Sequence, residues 1–131
     1  MKKLILILVL LLAVPAFGAD VVLQWDENSE SDLAGYQILQ SNVSGGPYTI
    51  VEEIPPNHHT GDVTLPNDPG KDSYRVSNLV DGIYYWVLTA FDNETPRNIS
   101  GYSNEVGIQV INDIPVPIPP APPTGLTAIQ E

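Results

Sequence analysis

The chain has 131 residues, no cysteine, and sixteen acidic side chains against five basic ones, for a formal net charge of −11. This length has room for one domain, and so acidic a surface repels phosphate backbones and anionic membranes, which argues against nucleic-acid and membrane-surface binding. Without cysteine, neither disulfides nor a lipid anchor on an N-terminal Cys is available, so a hydrophobic core must supply the stability.

Residues 1–19 have the three-part layout of a secretory signal peptide. Two lysines follow the initiator Met, an apolar run spans 4–14, and small residues fill 15–19, with cleavage expected after Gly18 or Ala19. The apolar run is shorter than the ~20 residues of a membrane span, so a retained anchor is the weaker alternative. We therefore expect a secreted protein, extracellular or periplasmic, with no membrane contact after cleavage. Three basic residues would then remain against sixteen acidic ones, for a net charge of −13.

Short segments of strand-forming residues, separated by turns rich in Gly, Pro and Asn, fill the rest of the chain. Strands are predicted over 20–26, 35–41, 48–54, 73–79, 83–91 and 101–111. The third is expected at a sheet edge, because Glu52 and Glu53 break its apolar pattern. The loop 55–72 holds four prolines and one short extended piece at 63–65. No stretch shows a capped 3.6-residue period, so the pattern predicts an all-β sandwich or barrel.

The segment 83–91 is predicted to be the central strand. Taken at period two, one face holds Tyr84, Trp86, Leu88 and Ala90, and the other holds Tyr85, Val87, Thr89 and Phe91. Both faces are largely apolar, which is typical of a strand that is covered on both sides. Trp86 is expected to face Trp25 across the core, so we interpret these aromatic side chains as core and sheet surface and not as a ligand site.

Four motifs in chain order carry a resemblance to a known family. They are VVLQWD with Trp25, DLAGYQIL with Tyr36, SYRVSNL followed by DGIYYWVLTAFD, and SGYSNEVGIQV. Over residues 21–111 they resemble a fibronectin type III domain of the kind found in bacterial exported proteins. The resemblance implies an immunoglobulin-like β-sandwich of about seven strands over 20–111. It also implies a tyrosine corner, in which the hydroxyl of Tyr84, or of Tyr85 as a substitute, bonds to the backbone upstream.

One strand of that family is missing from the front of the chain. The family begins with a proline-led strand A, whereas here the first strand starts almost at the cleavage site and a matching sequence, APPTGLTAI, stands near the end. The C-terminal part is therefore interpreted as a Pro-rich linker over 112–123 and a strand-A-like segment over 124–131. Three readings stay open: the segment folds back into its own domain, it docks into the vacant place of a neighbour, or it is a remnant of a lost module. An extended linker of about 37 Å is long enough for the first reading.

The first polar loop offers the one candidate calcium site. Its alternating oxygen-bearing residues are Asp26, Asn28, Glu30 and Asp32. Calcium takes six to eight hard oxygens, but this loop lacks the central Gly and the final Glu of an EF-hand. A solvated loop is therefore the default interpretation, and no metal or cofactor is expected.

Catalytic motifs are absent from the sequence, which shows no Ser-His-Asp order, P-loop or HExxH. The two histidines, His58 and His59, are adjacent, and neighbours on an extended chain point to opposite sides, which suits joint metal ligation poorly. Their nearest carboxylates in sequence are Asp62, Asp68 and Asp72. The adjacent carboxylates, Asp26-Glu27 and Glu52-Glu53, also face opposite ways. No catalytic residue is predicted.

These observations predict a non-catalytic exported module with a binding or structural role at the cell surface. The expected partners are a protein, a cell-envelope component, or a second copy of the chain through strand donation by the C-terminal segment. The alternative is a carbohydrate-associated accessory domain, which is disfavoured because this chain carries no catalytic partner.

Overall fold

The computed structural model describes residues 18–59, 70–128 and 130. Nearly all of the predicted signal peptide and the extended piece predicted at 63–65 lie outside the described residues. The strands are β1 Ala19–Asp26, β2 Leu33–Ser41, β3 Thr49–Ile54, β4 Lys71–Leu79, β5 Gly82–Asp92, β6 Val106–Ile111 and β7 Ile114–Val116. The described ranges hold no helix long and apolar enough to cross a membrane.

The strands form two antiparallel sheets. β1 pairs with β4 in one, and the other has the order β3-β2-β5-β6-β7. This arrangement is all-β and consistent with a β-sandwich, as the absence of helical periodicity predicted. β5 lies between β2 and β6, which confirms its predicted central position, and β3 lies at an edge, as its two glutamates indicated.

The core lies between the two sheets and is centred on β5. Trp86 and Ile38 are completely buried there, and the Trp86 indole donates a 2.9 Å hydrogen bond from Nε1 to Gln40 Oε1, so its one polar atom is satisfied. Trp86 stacks on Tyr84 at 5.9 Å between ring centroids. Trp25 packs against the core cluster that contains Trp86, as predicted, and its ring lies edge-on against Tyr36 at 5.3 Å between centroids.

The outer face of β5 is buried as well. Val87 is 2% exposed and Thr89 4% exposed, although both point away from Trp86. Thr89 donates to Gln37 Oε1 at 2.9 Å, and the Gln37 amide donates in turn to Glu53 at 2.9 Å. A chain of polar side chains therefore crosses β5, β2 and β3 on this face, which explains how a threonine and a glutamine are buried without loss of hydrogen bonds.

β6 begins at Val106 and not at residue 101 as predicted, because two serine side chains take over the backbone pairing before it. The amide of Ala90 donates to Ser100 Oγ, and the amide of Leu88 donates to Ser103 Oγ, each at 2.9 Å. The amides of both serines donate back to the carbonyls of Ala90 and Leu88 at 2.9 and 2.8 Å. Residues 100–104 therefore follow the edge of β5 without forming a regular ladder.

β7 lies inside the stretch that the sequence predicted to be linker from residue 112. Asn112 and Asp113 both have positive φ, 52° and 61°, as the two central residues of a tight hairpin turn require. The carboxylate of Asp81 accepts hydrogen bonds from both of their amides at 3.0 Å. Pro115 hid this strand from a sequence-based prediction, because proline is rare within strands. It is tolerated at the edge of a sheet, and β7 is an edge strand.

The hydroxyl of Tyr84 donates to the carbonyl of Val80 at 2.8 Å, four residues upstream. Of the two tyrosines considered at this corner, Tyr84 therefore makes the bond. It joins the turn before β5 to the core, where Tyr84 is 8% exposed.

Tyr84→Phe removes this hydrogen bond with little change in shape. We expect a loss of about 1 kcal/mol in unfolding free energy, or roughly 4–8 °C in Tm for a domain of this size. Tyr85→Phe is the matched control, since its hydroxyl makes no hydrogen bond with the described residues. Equal melting temperatures for the two variants, measured by circular dichroism, would contradict the role given to Tyr84.

Candidate functional site

The predicted calcium residues do not converge on an ion site. Asp26 is paired with Lys71, with 2.5 Å between Oδ1 and Nζ, so a lysine already neutralises it. The other three side chains, Asn28, Glu30 and Asp32, are exposed on the loop between β1 and β2. Across the described ranges no three His, Cys, Asp or Glu side chains are grouped so that they could hold a metal ion.

His58 has a local structural role at the edge of β4. Its carbonyl accepts from the amide of Ser73 at 2.8 Å, and its ring Nδ1 donates to the carbonyl of Ser73 at 2.7 Å. The ring lies 6.0 Å from that of Tyr74. His59 is exposed, and the carboxylates Asp62 and Asp68 lie outside the described residues.

Asp72 is a carboxylate in the core. It is 1% exposed and stands opposite Trp25 in the β1–β4 ladder. Neither of its oxygens, nor the Trp25 indole nitrogen, finds a hydrogen-bond partner in the described part of the chain. Burial raises the pKa of the neighbouring Tyr36, and the negative charge of Asp72 adds to that shift.

An apolar groove runs along the open side of the sandwich, between the edge of β1 and the edge formed by β6 and residues 100–104. Its volume is about 630 Å³. Two consecutive stretches line it, residues 21–26 on one side and 100–104 on the other, so the groove follows strand edges and not a single sheet face. Its floor is apolar, formed by Trp86, Leu88 and Ile108.

The β1 side of this groove carries unused backbone hydrogen-bonding groups. β1 is paired with β4 along one edge, and in the described structure no strand pairs with its other edge. Such an edge presents a row of N–H and C=O groups that an extended chain can meet. The groove thus combines a free strand edge with an apolar floor, which are the two requirements for binding an added strand.

A second cluster crosses the outer face of the five-stranded sheet. Glu105 accepts hydrogen bonds from the hydroxyl of Ser44 at 2.6 Å, from the amide of Gly45 at 2.8 Å and from the hydroxyl of Tyr48. These bonds lower the pKa of Glu105, with the Ser44 contribution the largest. The Tyr48 ring packs edge-on against Tyr102, with 5.2 Å between centroids. Glu105 therefore joins the β2–β3 turn to the loop before β6.

A bidentate ion pair holds β3 to the loop after β5. Arg97 donates to the two oxygens of Glu53 at 2.6 and 3.0 Å, and its guanidinium lies 4.3 Å above the ring of Phe91. The Arg97 hydrogen bonds, followed by that from Gln37, hold the pKa of Glu53 at about 2. Hydrogen bonds also lower the pKa of Asp81, mainly from the Asp113 amide, and of Asp92, mainly from the Asn98 side chain.

Sequence reasoning missed the groove and the Glu105 cluster for different reasons. The groove is made by segments almost 80 residues apart in sequence, so no local pattern could indicate it. Glu105 stands in an ordinary turn sequence, and its bonding partners lie about 60 residues earlier. The one signal for the groove was the prediction that no strand precedes the first one, because it implied an unpaired edge beside that strand.

Comparison of the chain with protein-family models, curated proteins and solved structures found no match. The function is therefore argued from the geometry.

The lowered pKa values set the pH dependence of stability. In the folded protein the pKa of Glu53 is about 2, against an ordinary value of 4.5, so between these values the unfolded chain binds more protons than the folded one. Stability should therefore be full above about pH 4.5 and fall as the pH drops towards 2. Glu105, Asp81 and Asp92 contribute in the same direction.

Glu53→Gln should make this decline less steep, since it removes the carboxyl group whose pKa in the folded protein, about 2, lies well below its ordinary value of 4.5. The measurement is Tm between pH 7 and pH 2, with Glu94→Gln, an exposed loop position, as the control. A decline with unchanged slope in the Glu53 variant would contradict the assignment.

Proposed function

We propose that this chain is an exported fibronectin type III-like module that binds protein or cell-envelope partners and performs no chemistry of its own. Two antiparallel sheets, a tyrosine hydroxyl bonded to the backbone four residues upstream, and an empty place beside β1 support this assignment. Among the described residues no strand pairs with this edge of β1, which is where the first strand of that family would lie.

The groove beside the unpaired edge of β1 is the observation that carries the proposal. It exposes apolar side chains that a complete sandwich would cover, including Val106 at 44% exposure. An exposed apolar groove beside a free strand edge is costly in water, and an extended peptide segment that adds to β1 would remove both costs. Binding by strand addition therefore fits the site better than binding of a compact ligand.

Catalysis is the less favoured class for this site. The polar side chains around the groove are mainly amides and hydroxyls, and its carboxylate, Asp26, is paired with Lys71. Asp72, the carboxylate with the most unusual surroundings, is buried on β4 and does not line the groove. A general acid or base must reach its substrate within hydrogen-bonding distance, which this placement does not provide.

A carbohydrate-binding role is the second candidate, and the Tyr48–Tyr102 pair favours it. Tyr102 is 60% exposed at the rim of the groove, so its ring is available to a planar surface. Tyr102→Ala should then weaken binding to insoluble polysaccharides in sedimentation assays, whereas Val106→Glu should leave it unchanged. Equal retention of wild type and Tyr102→Ala would remove this candidate.

A soluble peptide of alternating Thr and Val residues, capped by lysine at each end, tests the strand-addition function. The two tryptophans of the chain, Trp25 and Trp86, both line the groove, so their fluorescence reports binding there. Val106→Glu places a charge at the groove and should weaken binding about tenfold or more, since a buried apolar contact is replaced by a desolvated carboxylate.

Val43→Glu is the matched control, because Val43 is 61% exposed on the β2–β3 turn and does not line the groove. It should bind as wild type does. Binding that Val106→Glu leaves unchanged, or no saturable response in the wild type, would contradict the function proposed for the groove.

A further inference from the structure

We propose that residues 119–128, the strap, turn back at Gly125 and close the groove of their own domain by pairing with the free edge of β1. The groove then has a closed state, covered by the strap, and an open state, in which a partner strand binds. This inference rests on the binding function proposed for the groove and names the regulation of that site. It takes up the first of the three readings of the C-terminal segment.

The strap starts beside the strand that it would cover. β1 begins at Ala19, which pairs with Leu79, and β7 follows the turn whose amides bond to Asp81, so both strands start at the same end of the sandwich. β7 lies against β1. Ile118 packs on Gly107, which lines the groove, since a Cβ added to this glycine would stand 2.7 Å from the Ile118 side chain. The strap therefore leaves β7 at the rim of its own groove.

The strap also points along the groove. β7 is antiparallel to β6, with Val116 opposite Gln109, and Ile118 beside Gly107 continues the same course. The next residues of β6 and of the loop before it, 100–106, belong almost entirely to the groove wall. The chain after Ile118 is thus directed towards the far end of this wall.

The length of the strap matches the length of the wall. Gly107 stands opposite Tyr85, and the amide of Ser100 donates to the carbonyl of Ala90, so the wall follows β5 from residue 85 to residue 90. That distance is about 17 Å in a β-strand. A proline-rich chain advances about 3.1 Å per residue, so from Ile118 it covers the wall in about five or six residues. Residues 124 and 125 then stand at its end.

Gly125 allows the chain to reverse at that point. Its φ is 73°, a value that glycine adopts without steric cost and that many turns require. The outgoing stretch 119–123 contains four prolines, which have no N–H and cannot complete a ladder with β1. Residues 126–128 each have a backbone donor and acceptor, so pairing with β1 is left to the returning stretch.

The returning stretch has the alternation that the free edge of β1 requires. The outgoing strap runs in the same direction as β1, so after the reversal it runs antiparallel to that strand. Its apolar side chains face the groove in the register that pairs Leu126 with Trp25, Thr127 with Gln24 and Ala128 with Leu23. On β1, Leu23 is buried and Gln24 is exposed, which fits this pattern. Leu126, 96% exposed in the open position, gains the most apolar burial on closure.

Tethering favours the same chain over a second copy. A segment joined to its site by a short linker has an effective concentration on the order of millimolar, which a separate copy would have to exceed. Copies with a net charge of −11 also repel one another. Residues 119–128 carry no charged side chain, so closure within one chain adds no like charge to the groove.

Disulfide trapping tests this contact without any partner, because the chain contains no cysteine. In the full-length chain, Gln24→Cys combined with Thr127→Cys places two thiols at paired positions. Mild oxidation should therefore cross-link them within one chain, which a non-reducing gel detects as a monomer of altered mobility.

Val43→Cys combined with Thr127→Cys is the matched control, since Val43 is 61% exposed and does not line the groove. This pair should remain reduced under the same conditions. Equal cross-linking of the two pairs, or dimers in place of a cross-linked monomer for the Gln24 pair, would overturn closure within one chain.

Binding of the Thr-Val peptide tests the regulation. Leu126→Asp replaces the apolar contact of the strap by a charge, so the groove stays open and the apparent dissociation constant should fall about threefold or more. Val43→Asp adds the same charge away from the groove and should bind as wild type does. The difference should be the same at every protein concentration. Equal binding by these two variants would contradict the regulation.

The two tests separate this inference from the function on which it rests. If the peptide binds wild type while the Gln24–Thr127 pair does not cross-link selectively, closure by the strap is wrong and the groove function stands. If that pair cross-links within a monomer but neither wild type nor Leu126→Asp binds the peptide, residues 126–128 are a strand of their own domain, and the binding function fails together with its regulation.

Discussion

The two-stranded sheet β1–β4 is the constraint on which the rest of the structure depends, since within residues 18–59 and 70–128 it is the only sheet that covers the inner face of the five-stranded sheet. A sheet of two strands is too narrow to cover the whole face of a sheet of five strands. The covered part holds the completely buried Ile38, the uncovered side becomes the groove, and Trp86, buried as well, lies where the two meet. The stability of the core and the proposed binding site thus have one physical origin, which is a mismatch in width between the two layers.

Where regular strand pairing ends, side chains supply the hydrogen bonds that the backbone amides need. The hydroxyls of Ser100 and Ser103 accept hydrogen bonds from backbone amides of β5, and the Asp81 carboxylate accepts from both amides of the β6–β7 turn. Glu105 and Glu53 hold the outer loops in the same way. These contacts stabilise the edges of the large sheet, whereas the outer edge of β1 receives no comparable cover within the described residues.

A chain without cysteine has few other means of closing such an opening. Disulfides are unavailable, and the acidic surface resists non-specific association. A strand supplied by another molecule would complete the small sheet and cover the apolar floor together. Binding and stability would then be coupled, because a partner that binds only the folded state also stabilises it.

The amino-acid sequence by itself determined the fold class, the number and approximate position of most strands, and the central place of β5, because alternating apolar residues and turn residues act locally. Tyr84 and Tyr85 were both candidates for the corner, and the 2.8 Å bond to Val80 decided between them. Sequence could not indicate β7, whose prolines resemble a linker, nor the ring partner of Trp25. The groove also depended on tertiary structure, because its lining residues at 21–26, 86–90 and 100–108 come together only in the folded chain.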